Sequence, residues 1–321
     1  MTLFTPLRKT LLVAGVLLGS AVNAQYNLDA GFSFGAANYL GDMGGGVLTR
    51  RDFVADMKMS QTQPTTSVFF RYKASPFLAI KSTLSWVRIS GDDKLSTNPG
   101  RNARNLSFRN DIYELAAQAQ FIFYDLNDLG RTHGHQDNFR AFIGLGAGVM
   151  YHSPKTLYNG EYVALRPLTT EGESYSKFVA VIPATGGFYF TLDKKYRIGF
   201  DLTWRTTFSD YLDDVSTTYA DPSVLPNTLA AELANRTDEL SYISPAFAEN
   251  FSPGNKRGDS KHNDSYLTSS VEFSYAFQGH SAAEKGIYKW VQRRQRHPSK
   301  FDGVPGHRRH HIKVRKIRLK W

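Results

Sequence analysis

The residues best equipped for chemistry in this chain are charged side chains that recur at every second position of apolar segments. In the segment RIGFDLTWR, Arg197, Asp201 and Arg205 lie opposite Ile198 and Leu202 when the chain is extended. The apolar face is continuous and rich in aromatic residues, and the reverse face carries full charges. This pattern favours barrel strands between lipid and a polar interior over the strands of a soluble sandwich.

The inward positions of these segments supply both signs of charge. Buried charges require partners, and side chains just fill the interior of an eight-stranded barrel. The pattern therefore predicts an ion-pair plug, with a gated ion path as the alternative. The predicted plug consists of Arg71, Lys81, Glu114, Arg140, Arg197, Asp201, Arg205 and Glu272.

The sequence offers little for catalysis or metal binding. It contains no cysteine, which excludes disulfides, thiolate metal sites and cysteine nucleophiles. The histidine cluster near the C-terminus lacks carboxylate neighbours and lies beside two arginines, which disfavour a cation. No nucleophile–base pair is evident, so we predict no catalytic residue, no metal site and no cofactor. The histidines are His133, His135, His152 and His262, with His280, His297 and the cluster His307, His310 and His311 in the basic tail.

Eight alternating segments must position the inward charges. Pro183 interrupts the sixth segment, which suits a bulge. Connections are short after the second and sixth segments, moderate after the fourth (127–137), and long after the first, third, fifth and seventh, the last covering about 213–263. Short turns on one rim and long loops on the other predict an all-β, eight-stranded antiparallel transmembrane barrel with long extracellular loops and both termini periplasmic. The segments are about 26–37, a second ending before Ser75-Pro76, 78–86, 108–124, 138–152, 177–192, 197–205 and 265–277.

The first residues resemble an export signal. Arg8 and Lys9 precede an apolar run from Leu11 to Leu18, and Val22-Asn23-Ala24 matches a cleavage site. No later window has 18 consecutive apolar residues, so strands must cross any membrane. We expect a signal peptide at 1–24, an outer-membrane barrel at 25–278 and a basic periplasmic tail at 279–321.

The net charge of +10 is concentrated in this tail. Residues 279–321 carry a net charge of +11, and the rest of the chain carries −1. Such asymmetry is typical of an interaction segment. Docking on an acidic periplasmic partner is favoured over a disordered end or contact with anionic lipid, and the export signal argues against nucleic acid. The candidate partner-binding residues are Tyr288, Trp290, Arg293, Arg294, Arg308, Arg309, Arg315 and Trp321.

Five short motifs follow one another in the order expected of a known family. Together they resemble the PorG-like outer-membrane proteins of the type IX secretion and gliding machinery of Bacteroidota, over about residues 26–277. Ser265, where a Trp is expected before the Tyr, and the long basic tail depart from the family pattern. The motifs are Tyr39-Leu40-Gly41-Asp42, Arg88 to Asp93, Asn105 to Leu115, Asn235 to Leu240 and Arg257-Gly258-Asp259, the last interpreted as a loop turn rather than an adhesion motif.

The resemblance implies a non-enzymatic barrel in outer-membrane lipid. On its periplasmic side it would anchor the secretion ring, formed by a lipoprotein and its ring partner. The alternatives are a small transport barrel or a lipid-modifying enzyme.

Overall fold

The protein forms a closed barrel of eight antiparallel strands. The computed structural model describes residues 28–43, 57–126, 138–193 and 195–277. Each barrel strand pairs with its neighbour, and the last strand pairs with the first to close the barrel. The barrel strands are β1 (Leu28–Leu40), β2 (Gln63–Ser75), β3 (Leu78–Asp92), β4 (Ser107–Leu126), β5 (Asn138–Tyr151), β8 (Phe178–Leu192), β9 (Tyr196–Thr207) and β10 (Ser265–Phe277).

The alternation of apolar and polar residues in the sequence corresponds to the outer and inner faces of the barrel wall. Phe70 is 61% exposed on the outer surface, whereas the adjacent Phe69 is 1% exposed inside the barrel. Large apolar side chains cover the outer surface of every strand of the wall, and the aromatic rings of Tyr196 and Tyr275 pack edge to face near the rim of short turns. Exposed apolar area of this extent on a closed barrel is the surface that lipid covers. Among the described residues, no helix is both long enough and apolar enough to cross a membrane.

The two rims differ as predicted. Two-residue and three-residue turns join β2 to β3 and β8 to β9, and the paired ends Leu28 and Phe277 lie on this same rim. The opposite rim carries the connections 93–106, 152–177 and 208–264, together with the described parts of the connection between β1 and β2. The predicted all-β barrel of eight antiparallel strands is confirmed.

The long loops contain elements that the alternation did not predict. A hairpin of β6 (Pro154–Tyr158) and β7 (Glu161–Ala164) extends the wall, because β6 pairs with the start of β4. Three short helices lie in the other loops: α1 (Pro99–Arg104), α2 (Thr228–Ala234) and α3 (Pro245–Ala248). Each begins at an Asn or Ser whose side chain accepts a backbone N–H of the first turn.

The prediction of a β-bulge at Pro183 is wrong. Pro183 pairs with Arg205 in regular register, and Leu145–Ala184 and Gly148–Val181 share one register across it. Proline lacks an N–H group, so the ladder to β5 is interrupted locally while the strand direction is kept. The register shifts of the described wall lie in β2, between Lys73 and Ser75, and in β4, between Ile122 and Tyr124.

Candidate functional site

The half of the lumen near the short turns is filled by a connected set of ion pairs. Arg71, 1% exposed, pairs with Glu272 and lies 3.6 Å from the Asp29 carboxylate. Arg197 pairs with the other oxygen of Asp29. Lys81 bridges Glu272 and Asp201, with 2.9 Å from its Nζ to the Asp201 Oδ2. Each buried charge therefore has an opposite charge in contact, as burial demands.

Aromatic rings occupy the space between these cations. The Arg71 guanidinium lies 4.7 Å from the ring centre of Tyr189 and 5.1 Å from that of Phe69, and Lys81 Nζ lies 4.7 Å from the Phe69 ring. A cation over a ring face is attracted by its quadrupole, and the attraction is strongest away from water.

A second ion pair lies closer to the long loops. Arg205 Nε lies 2.7 Å from Glu114 Oε2, and its Nη1 donates to the Thr268 hydroxyl at 2.5 Å. The Tyr266 hydroxyl donates to the same carboxylate at 2.5 Å. A lumen cavity of about 20 Å³ lies beside this pair and Lys81, which is room for about one water molecule.

All eight residues predicted for the lumen point inward and are buried in the structure. Three further charged residues complete the set. Asp29 pairs with Arg197, and Asp125 accepts from Arg140 Nε at 2.9 Å and lies 3.8 Å from Lys73. Asp29 lies two residues before Gly31 and four before Ser33, both on the predicted inner face. Its inward orientation could therefore be predicted from the alternation. Asp125 lies beyond the register shift in β4. The alternation is interrupted there, so it no longer indicates whether a side chain faces the lumen or the lipid.

Above the lumen, the motif segments meet in a hydrogen-bonded cluster, termed here the loop cap. The Arg104 guanidinium is its centre: it binds both carboxylate oxygens of Asp93, at 2.7 and 2.9 Å. It also donates to the backbone oxygens of Asp42 and Arg257, at 3.0 and 2.6 Å. The Asn105 amide donates to the Arg236 oxygen at 3.0 Å. Segments far apart in the sequence are thus joined, and the Asp259 N–H donates to Asp42 Oδ2 across 217 positions.

Arg257 is a structural residue of the loop cap. It is 4% exposed and donates to Glu171 at 2.9 Å and to the backbone oxygens of Asp214 and Ala234. Burial opposes ionisation of Glu171, but the Arg257 charge and hydrogen bonds from residues 216 and 217 lower the pKa of this carboxyl. The Arg-Gly-Asp segment does not present its arginine to a partner.

Tyr39 lies between two carboxyl groups at the base of the loop cap. Its hydroxyl is 2.7 Å from Asp213 Oδ2 and 2.6 Å from Asp264 Oδ1. A hydroxyl has a single hydrogen, so the second contact requires a proton on a carboxyl. Burial, with repulsion from Asp42, raises the pKa of Asp213 well above its ordinary value, and burial with repulsion from Asp213 does so for Asp264. One carboxyl of this pair therefore holds a proton.

We predict that the loop cap is more stable in mild acid. A carboxyl whose pKa is raised by folding stabilises fully below its unfolded pKa of about 3.9, and this stabilisation is lost as pH rises through the folded pKa. Cleavage of the long loops by a protease should be slower at about pH 5.5 than at about pH 8. Asp213→Asn, which imitates the protonated acid, should reduce this difference. The exposed Asp238→Asn is the control; equal pH dependence in both variants would contradict the protonated pair.

A cavity of about 460 Å³ opens between the loops beside the loop cap. Arg101, Tyr219, Phe247 and Lys256 are among its lining residues. The described lining contains no serine, threonine or histidine.

The two described histidines lie in different connections of the long-loop rim. His152 is buried, its Nε2 lies 2.9 Å from the Ser176 oxygen, and burial lowers its pKa to about 4. His262 lies in an exposed loop, 2.9 Å from Asp259. Within the described ranges, no cluster of three His, Asp or Glu side chains could hold a metal ion. His133 and His135, the export signal and every predicted partner-binding residue of the tail lie outside the described residues.

The closed wall, its exposed apolar belt and its charge-filled lumen define a small outer-membrane β-barrel protein. The chain belongs to the family described as "Domain of unknown function (DUF6089)", whose model matches residues 8–226.

Several solved outer-membrane proteins are similar to this chain. Ail, the attachment invasion locus protein of Yersinia pestis, is 10% identical, with 78% of this chain and 99% of Ail covered and a TM-score of 0.31. Neisserial surface protein A is 7% identical, with 78% and 97% covered and a TM-score of 0.36. OprG of Pseudomonas aeruginosa is 10% identical, with 80% and 99% covered and a TM-score of 0.33. No match was found among curated proteins.

Proposed function

We propose that this protein is a non-enzymatic outer-membrane barrel that anchors the periplasmic ring of a type IX secretion or gliding machinery. The observation that carries the proposal is a closed lumen in a chain whose sequence continues into a strongly basic segment. Ion pairs and rings fill the barrel, which leaves its rims as the surfaces for a function. The wall ends at Phe277 on the short-turn rim, and residues 279–321, with a net charge of +11, follow it.

The orientation is part of the proposal. Outer-membrane barrels carry short turns on the periplasmic side and long loops outside. In that orientation the loop cap faces the medium and the basic tail faces the periplasm. The partner would be the ring lipoprotein and its ring partner, presenting an acidic surface to Tyr288, Trp290 and the tail arginines.

We infer that the lumen does not conduct solutes. Six basic and five acidic side chains of the described lumen pair with one another, and rings separate them. Purified protein in planar bilayers should show no steady conductance. Steady conductance would instead favour the small transport barrel.

Removing the tail should separate insertion from assembly. A chain ending at Phe277 keeps every described strand, so it should still insert and show heat-modifiable migration on gels. It should fail to co-purify the ring proteins, because the basic and aromatic residues are gone. Electrostatic contacts weaken with salt, so the full-length complex should also dissociate as salt is raised.

A second variant distinguishes the aromatic anchors from the charge. Replacing Tyr288, Trp290 and Trp321 with alanine keeps the net charge of the tail and removes the side chains that usually dominate such contacts. We expect most of the co-purification to be lost. If the chain ending at Phe277 recovers the same ring proteins with the same salt resistance, the tail does not dock them.

A further inference from the structure

The outer surface of β3 and β4 changes from apolar to charged at one level. Leu84, Trp86 and Arg88 follow one another on the outward face of β3. Across the strand pair they oppose Leu115, Tyr113 and Asp111 of β4. An apolar pair is therefore followed by an aromatic pair and then by an ion pair, in the direction of the long loops.

This level matches that of the lipid headgroups. Eight residues separate Leu78, at the short-turn rim, from Trp86. At about 3.3 Å per residue and a tilt of about 40°, they cover about 20 Å of the barrel height. The apolar band of an outer-membrane barrel is about 25 Å tall and is bordered by aromatic residues. Arg88, the next outward residue, lies where the hydrocarbon ends.

Positive charge exceeds negative charge on this part of the wall. Arg88 Nε donates to Asp111 Oδ1 at 2.7 Å, and Arg109 Nη2 lies 3.5 Å from Asp111 Oδ2. Lys155 of β6 is directly opposite Arg109, and such pairs share a face. Three cations thus share this face with one carboxylate, and two of them contact it. Among the described residues, Arg109 Nε is buried without a hydrogen-bond partner, and the Arg88 contact with Asp111 is made through Nε.

Aromatic rings hold both guanidinium groups in place. Arg88 lies 5.1 Å from the ring centre of Trp86, and Arg109 lies 4.3 Å from that of Tyr162. Leu157 of the β6–β7 hairpin opposes Tyr162, and both are exposed. The cations are therefore pre-positioned beside apolar surface rather than free in solvent.

We propose that Arg88, Arg109 and Lys155 form a binding site for the phosphate of a phosphorylated glycolipid in the outer leaflet. Guanidinium groups bind phosphate oxygens in a bidentate manner, and the acyl chains of the same lipid would cover Leu84 and Leu115. Asp111 holds Arg88 through its Nε and neutralises only part of the positive charge of this surface. The proposal rests on the orientation given above, because the outer leaflet must face the long-loop rim.

The test is binding of a defined lipid to the purified, delipidated full-length protein. Native mass spectrometry in detergent should show that phosphorylated lipid A binds. Its dephosphorylated form, phosphatidylglycerol and inorganic phosphate should bind at least about tenfold more weakly, since a hydrogen bond to a charged group is worth about one order of magnitude or more.

Paired variants localise the site. Arg88→Gln with Arg109→Gln should weaken lipid A binding at least about tenfold. Lys94→Gln with Lys261→Gln removes the same charge from exposed loop positions and should leave binding unchanged. Heat-modifiable migration verifies folding, and Lys155→Gln supplies a milder variant if the double variant fails to fold.

Other outcomes overturn the proposal. Equal binding by wild type and the Arg88/Arg109 variant would show that lipid contacts the barrel elsewhere. Equal binding of phosphatidylglycerol would show a general anionic surface. Protease access to the long loops on intact cells tests the orientation separately, so failure of the site and failure of the proposed function are distinguishable.

Discussion

Replacing Glu272 with glutamine is expected to lower the free energy of unfolding by about 3–5 kcal/mol, the usual cost of breaking a buried ion pair from one side. Glu272 is 3% exposed and contacts both Arg71 and Lys81. The amide keeps the size of the side chain and removes its charge. Arg71 would keep Asp29 at 3.6 Å, and Lys81 would keep Asp201, so two cations would share less negative charge in a dry interior.

The measurement is reversible unfolding by denaturant in lipid vesicles, followed by heat-modifiable migration and tryptophan fluorescence. Glu173→Gln is the matched control, because it makes the same chemical change at an exposed loop position. A midpoint for Glu272→Gln equal to that of the control would show that the network does not stabilise the barrel.

Replacing Leu202 with arginine should cost about 2–4 kcal/mol, the price of a cation near the bilayer midplane on the lipid face of a barrel. Leu202 lies near the middle of β9, outward-facing and 42% exposed, where it pairs with Gly186 and Ser269. Lipid is the solvent at that position, so exposure here does not imply tolerance of charge.

Val224→Arg provides the contrast. Val224 is 66% exposed in the long connection after β9, where water would solvate the charge of the new arginine. The same unfolding assay in vesicles should show a loss for Leu202→Arg and little change for Val224→Arg. If both variants unfold at the wild-type midpoint, the outer face of β9 is not covered by lipid.

The wall was predictable because one physical rule acts along its whole length. Lipid outside and charge inside impose a period of two. Most strand ends fall within a few residues of those expected, but β3 continues to Asp92 rather than ending near 86. β1 begins at Leu28 and continues to Leu40 rather than ending near 37. The extra residues point toward the loop cap, where Tyr39 packs against Phe108 with ring centres 4.8 Å apart.

The loop cap was not predictable, because its contacts join residues far apart in the sequence and follow no period. Arg104 donates to the Arg257 backbone oxygen across 153 positions. Nothing in the type of either residue indicates that the two are partners. The motif segments were visible in the sequence, but their convergence was not. The β6–β7 hairpin was missed for a similar reason: its strands of five and four residues are too short for alternation to be distinguished from a loop.

Closure of the wall by its first and last strands also determines when folding can finish. Leu28 pairs with Phe277, so these partners are about 250 positions apart in the chain. Contacts of such long range form slowly, because the entropy of closing the intervening chain is lost first. Until β10 arrives, β1 presents an unpaired edge that can pair with other chains. The barrel therefore needs protection from aggregation until its final 13-residue strand has paired with β1.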